Sequence, residues 1–109
     1  MTENILTSIL GLDRVIHEPA RFLLMTLLFS VEEADFTFLM KKTGLTSGNL
    51  SSHITKLENE GYVAVEKMFK GKRPLTICKL TGEGENAYRF YRLKLDEILS
   101  EMPDVTIKE

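Results

Sequence analysis

One cysteine, Cys78, and two histidines, His17 and His53, are all that 109 residues offer as thiol or imidazole ligands. A single cysteine closes no internal disulfide, so the covalent staple of small secreted domains is excluded and a reducing compartment is expected. One thiol and two scattered imidazoles do not make a four-ligand zinc set, so no metal is expected. The histidines fall in different predicted elements with no nucleophile motif beside either, and neither catalytic residues nor an enzyme is expected. Gly82 and Gly84 follow a predicted strand but lack the third glycine of a dinucleotide fingerprint and the Gly-Lys-Ser/Thr of a phosphate loop, so no cofactor is expected. There is no run of about 18 apolar residues. The opening Met1-Thr2-Glu3-Asn4 carries an acid where a secretory signal would be positive, and a soluble cytoplasmic protein with no membrane partner is the expectation. Repeats, low-complexity tracts and glycine/serine linkers are missing too, and the length suits one domain spanning 1–109.

What is present is an ordinary globular balance, 43% hydrophobic and 28% charged, with a net charge of −2. That average hides an asymmetry. Residues 1–34 set two bases against five acids, and residues 74–109 five against seven. Between them, Lys41, Lys42, Lys56, Lys67, Lys70, Lys72 and Arg73 outnumber Asp35, Glu58, Glu60 and Glu66, so a basic middle lies between acidic ends.

The spacing of Ile5, Leu6, Ile9, Leu10 and Leu12 suggests a short amphipathic helix before Gly11. A core helix should begin near Pro19 and run to Phe29. Asp35 to Thr43 reads as a short helix with Phe36, Leu39 and Met40 inward, an N-cap at Asp35 or Thr37, and Gly44 as its left-handed stop. Thr46 then caps a helix from Ser47 to Glu60 with Leu50, Ile54 and Leu57 inward, ended by Gly61. So short a connection between two helices is the mark of a helix-turn-helix. Alternation from Tyr62 to Lys70 and from Leu75 to Leu80, with Lys70-Gly71-Lys72-Arg73-Pro74 between, predicts a hairpin. Thr81 caps a last helix that reaches about Glu101 and stops at Pro103. The fold class is mainly α with a small β-hairpin.

Turning about 100° per residue separates two faces of the Ser47–Glu60 helix. Opposite the apolar stripe lie Gly48, Ser52, Thr55 and Asn59, flanked by Asn49, Ser51 and Lys56. Small hydrogen-bonding side chains of this kind suit a major groove about 12 Å wide, and the helix N-terminus, starting at Ser47, favours a phosphate. A plain solvated surface could carry the same serines; the spacing to the preceding helix argues against it. For His53, a phosphate contact and a packing role stay equally open. Lys70, Lys72 and Arg73 gather positive charge around Gly71, with Pro74 stiffening the return, where a ribbon could reach the backbone or minor groove. Cys78, inside an apolar strand, is more often packing than a redox sensor.

These residues carry a resemblance. Asp35-Phe36-Thr37-Phe38-Leu39, Thr43-Gly44-Leu45-Thr46-Ser47-Gly48-Asn49-Leu50-Ser51-Ser52-His53, Lys56-Leu57-Glu58 and Gly61-Tyr62-Val63 resemble the core of small winged-helix transcriptional regulators, compact relatives of the MarR-type and ArsR-type repressors. Gly71-Lys72-Arg73-Pro74-Leu75-Thr76, Leu80-Thr81 and Gly84 resemble their wing and last-helix entry, so the likeness spans about residues 13–100. It implies a winged helix-turn-helix homodimer on operator DNA, with Ser47, Asn49, Ser51, Ser52, His53 and Lys56 on the recognition helix and Lys72 and Arg73 on the wing. The paired cysteines of metal-sensing relatives are missing, and the chain has less terminal helix than MarR-type proteins from which to build an effector pocket.

Apolar residues of the last helix cover more than the roughly 100° stripe one contact needs. Ala87, Tyr91, Leu95 and Ile98 suit the chain's own core, leaving Tyr88, Leu99 and Met102 for a two-fold mate with the first segment beside them. The terminal helices, about 1–12 and 82–102, are thus expected at a dimer interface comprising Ile5, Leu6, Ile9, Tyr88, Tyr91, Leu95, Leu99 and Met102. The expected function is sequence-specific binding of double-stranded DNA, with helix 47–60 in the major groove and wing 63–80 on the backbone or minor groove. A winged-helix protein-interaction module without DNA binding is the alternative, and RNA is a weaker one, for want of an exposed aromatic platform.

Overall fold

The computed structural model describes residues 2–102. In chain order it contains α1 (Thr2–Leu10), α2 (Pro19–Phe29), β1 (Ala34–Asp35), α3 (Phe36–Thr43), α4 (Ser47–Asn59), β2 (Val63–Lys70), β3 (Arg73–Leu80) and α5 (Gly82–Glu101). The expected stop at Pro103 lies outside the described residues; the helix ends at Glu101 with Met102 as its C-cap.

Local chemistry accounts for most boundaries. Pro19 sits in the first turn of α2, where its missing N–H costs nothing, and the Glu18 carboxylate accepts from the Ala20 and Arg21 N–H groups. Asp35, not Thr37, caps α3, its side chain accepting from Phe38 N–H at 2.8 Å, and Gly44 ends that helix at φ 72°. Thr46 caps α4 by accepting from Asn49 N–H. Glu60 is the C-cap of α4 and not its last turn, and Gly61 follows at φ 87°.

The sheet departs from the expected lone hairpin. Ala34 and Asp35 pair antiparallel with Cys78 and Ile77, so a short strand joins the sheet in the order β1-β3-β2. The loop expected over Lys70–Pro74 is only a two-residue turn: Lys70 pairs with Arg73 and Phe69 with Pro74, leaving Gly71 at φ 65° and Lys72 to turn the chain. Positive φ at the first turn residue suits the twist of a tight hairpin.

The core joins all these layers. Leu24, Met25 and Leu28 of α2, Leu39 of α3, and Leu50, Ile54 and Leu57 of α4 meet Val63 and Cys78 of the sheet, all nearly or wholly out of solvent. Phe36 and Met40 are half-buried at its margin. α5 adds Tyr88 and Tyr91, whose rings are buried while their hydroxyls reach Thr26 Oγ1 at 2.7 Å and His17 Nδ1 at 2.6 Å.

One contact sets the angle between α5 and the sheet. Thr81 Oγ1 donates to Gly61 O and accepts from Gly84 N–H, and Gly84 lies so close to Tyr62 that a Cβ there would overlap the Tyr62 carbonyl oxygen. Gly84→Ala is expected to force α5 off the strand and cost about 2–3 kcal/mol, an overpacking penalty read as a lowered urea midpoint. An unchanged midpoint would show that the helix can shift freely.

Candidate nucleic-acid interface

The burial of Leu50, Ile54 and Leu57 turns the opposite face of α4 outward. Ser47, Gly48, Asn49, Ser51, Ser52, Thr55 and Lys56 are all exposed. No acid occurs in the first turn, and Glu58 is the first carboxylate along the helix. A side chain at Gly48 would meet nothing within 4 Å, so the glycine leaves a flat place where another surface can approach.

His53 is placed differently from its neighbours. Its ring is half-buried, with Nδ1 at 3.3 Å from Arg21 Nη1 and 3.5 Å from Glu18 Oε2, while Arg21 Nε donates to Val15 O at 2.6 Å. The histidine of α4 is thereby tied to the start of α2. Burial works against the Glu18 charge, but the N–H groups of Arg21 and Ala20 and the charges of His53 and Arg21 outweigh it and hold the carboxyl below its ordinary value.

Across from α4, burial fades along β2 from Val63 outward, and every residue from Glu66 to Pro74 is exposed. The ribbon therefore projects beyond the core. Its register places Val63, Val65, Lys67 and Phe69 on one face, paired with Leu80, Cys78, Thr76 and Pro74. A depression of about 310 Å³ is lined by Phe36, by Ser47, Ser51, Ile54, Thr55 and Glu58 from α4, and by Val65, Lys67 and Thr76 from this face, so its one carboxylate stands at the C-terminal end of the helix. The exposed side of α4 and one face of the wing thus border a common concavity.

Lys70 and Arg73 pair on the other face, with Lys72 in the turn between them. Lys67, which shares the concavity with Thr55, was not among the expected contacts, nor was Phe69. The signal for both was the alternation Val63, Val65, Lys67, Phe69, which assigns them to a single face.

Cys78 is fully buried in β3. Burial, with a contribution from the Glu58 charge, pushes its thiol up to about 11, so it stays protonated at neutral pH. The described residues contain no group of three or more His, Cys, Asp or Glu side chains placed to hold a metal ion, and no helix long and apolar enough to cross a membrane.

The proposed dimer residues divide. Ile5, Tyr88 and Tyr91 are buried within the single chain and Leu95 is half-buried, whereas Leu6, Ile9, Leu99 and Met102 are exposed. Leu10, Phe90 and Leu93 add further exposed apolar surface to α1 and α5.

Helix-turn-helix, three-stranded sheet and projecting ribbon together define a winged helix. The family described as the winged helix DNA-binding domain matches residues 20–99, and the chain belongs to it. It is 35% identical over 78 residues to the uncharacterized protein MJ0432 of Methanocaldococcus jannaschii, covering 72% of this chain and 85% of that one. Among solved structures, the transcriptional regulator homologue of Pyrococcus horikoshii OT3 aligns with a TM-score of 0.81 and 29% identity over 89% of this chain and 95% of that one. NadR in complex with 4-hydroxyphenylacetate aligns with a TM-score of 0.67 and 25% identity over 91% and 70%. The neighbours are transcriptional regulators of MarR-like form.

The geometry at Glu18 predicts an acid-sensitive contribution to stability. Because its folded pKa is lowered, the stabilisation is full above the ordinary value of 4.5 and is lost as pH falls through the lower folded value. Glu18→Gln should cost about 1 kcal/mol at pH 7, the usual scale for a helix cap, and almost nothing at pH 2. Urea unfolding at the two pH values reads the difference; equal losses at both would mean the charge does not matter.

Proposed function

We propose that this chain is a transcriptional regulator that binds specific double-stranded DNA sites as a homodimer. In this reading α4 enters the major groove and the wing, Val63–Leu80, lies on the adjoining backbone or minor groove. The observation that carries it is the outer face of α4, free of carboxylates from Ser47 to Lys56, bordering the same concavity as a basic ribbon, with Glu58 the one acid of α4 that lines it. A duplex seated there meets side chains that hydrogen-bond to base edges, Asn49, Ser51, Ser52 and Thr55, and cations that neutralise phosphates, Lys56, Lys67, Lys70, Lys72 and Arg73. His53, held by Arg21 and Glu18, stands on the flank of this contact.

The dimer rests on exposed apolar surface at both ends of the described chain. Leu6, Ile9, Leu99 and Met102 are the members of the expected interface left in water, and a mate joined through α1 and α5 would cover them. Two copies would then read half-sites about 34 Å apart.

Selection of bound fragments from a genomic DNA library should return a palindromic site. Affinity for that site should fall steeply with salt as counterions are released. Arg73→Ala should weaken binding to all duplexes and reduce the steepness of the log–log salt dependence by about 1, whereas Asn49→Ala should change which sequences are preferred. If neither substitution alters binding to the best site, the assigned surfaces are wrong. Sedimentation of the Leu99→Glu variant should show the monomer mass where the parent shows the dimer; an unchanged mass would exclude α5 from the interface.

A further inference from the structure

The wing carries a side chain that the reading above leaves unused. Phe69 is 74% exposed, the highest value among the exposed large hydrophobic residues, and its cross-strand partner is the exposed Pro74. Core packing does not explain it, because the ribbon has already left the core by Glu66. Strand alternation does specify its direction: Phe69 shares a face with Val65 and Lys67, which line the depression with Ser51 and Thr55. One pleat repeat is about 7 Å, so the ring stands that much farther out than Lys67, on the side where a duplex held by α4 would lie.

Charge identifies the occupant. Between Val63 and Leu80 the only acid is Glu66, while Lys67, Lys70, Lys72 and Arg73 fall within four residues of Phe69. An apolar ring set among cations complements a polyanion whose interior is apolar, and the minor groove of a duplex, walled by phosphates and floored by stacked bases, is such a surface. Resting on the DNA-binding reading, we propose that Phe69, backed by Pro74, is a wedge that the wing sets into the minor groove. It partly unstacks one flexible pyrimidine–purine step and bends the duplex, while the surrounding lysines and Arg73 hold the flanking phosphates. Sequence preference would then extend to a step that no side chain of α4 reads by hydrogen bonding.

The test uses the full chain and the duplex recovered by genomic selection, end-labelled for energy transfer and carrying 2-aminopurine at successive positions under the wing. The parent protein should shorten the end-to-end distance and brighten 2-aminopurine at one step. Phe69→Ala should abolish both effects and weaken binding about tenfold, within the range for losing an aromatic stacked on a base. Its salt dependence should stay unchanged, because no charge is removed. Phe69→Leu should keep most of the bend, and replacing the flexible step by a stiff A-tract should weaken the parent but not Phe69→Ala. Both variants should melt like the parent, since the ring lies outside the core. The proposal is overturned if Phe69→Ala bends and binds as the parent does, or if it lowers the sedimentation mass of the DNA-free protein, which would place the ring between copies of the chain. Binding without bending overturns the wedge alone; a parent that binds no duplex overturns the regulator reading as well.

Discussion

One-sided anchoring of α4 governs everything this molecule presents to a partner. A helix of 13 residues is marginal alone in water, and it is held by inserting Leu50, Ile54 and Leu57 into the space shared by α2, α3 and the base of the sheet. With that stripe fixed inward, rotation of the helix about its axis is fixed too, and the serines, Asn49 and Thr55 have only one direction left. The Thr46 cap and Gly61 set where the helix starts and stops.

Polar ties around the connector between α1 and α2 lock this arrangement from behind. The Asp13 carboxylate accepts from the N–H groups of Val15 and Ile16 and from the Tyr62 hydroxyl. A few residues on, His17 meets Tyr91, and Glu18 meets both Arg21 and His53. A single loop thus touches the strand entry, the last helix and α4. Burial, the hydrogen bond to Asp13 and the nearby carboxylates push the Tyr62 hydroxyl well above its ordinary range, so it remains a donor at any physiological pH.

Features encoded by neighbouring residues were readable in advance. The caps at Asp35, Thr46 and Thr81, the stop at Gly44 and the inward stripe of α4 depend on side chains within four positions of the backbone they serve. Features that depend on remote partners were not. β1 is two residues long and exists because Cys78 and Ile77 offer it an edge, a pairing with no local signature. Tyr88 looked like surplus apolar surface because Thr26, which satisfies its hydroxyl, is far away in sequence, and the same distance hid the partnership of Tyr91 with His17. Arg21 likewise gave no sign that it would reach His53. The hairpin itself was readable, but the length of its turn was not: its charges and Pro74 read as loop, yet they close a ladder that continues to the turn, and only the ladder's parity separates Lys67 and Phe69 from Lys70 and Arg73.

The strand order leaves β2 at the margin of the sheet, with β3 on one side and no strand on the other among the described residues. Such a border offers unsatisfied amide and carbonyl groups on which another polypeptide could template itself, the hazard that leads to ordered aggregates. Lys67 and Lys70 are spaced along that border, and their mutual repulsion between molecules discourages copies from zipping together. Colloidal solubility and nucleic-acid attraction would therefore draw on the same ammonium groups, and an exchange of Lys67 for an aliphatic residue would compromise both at once.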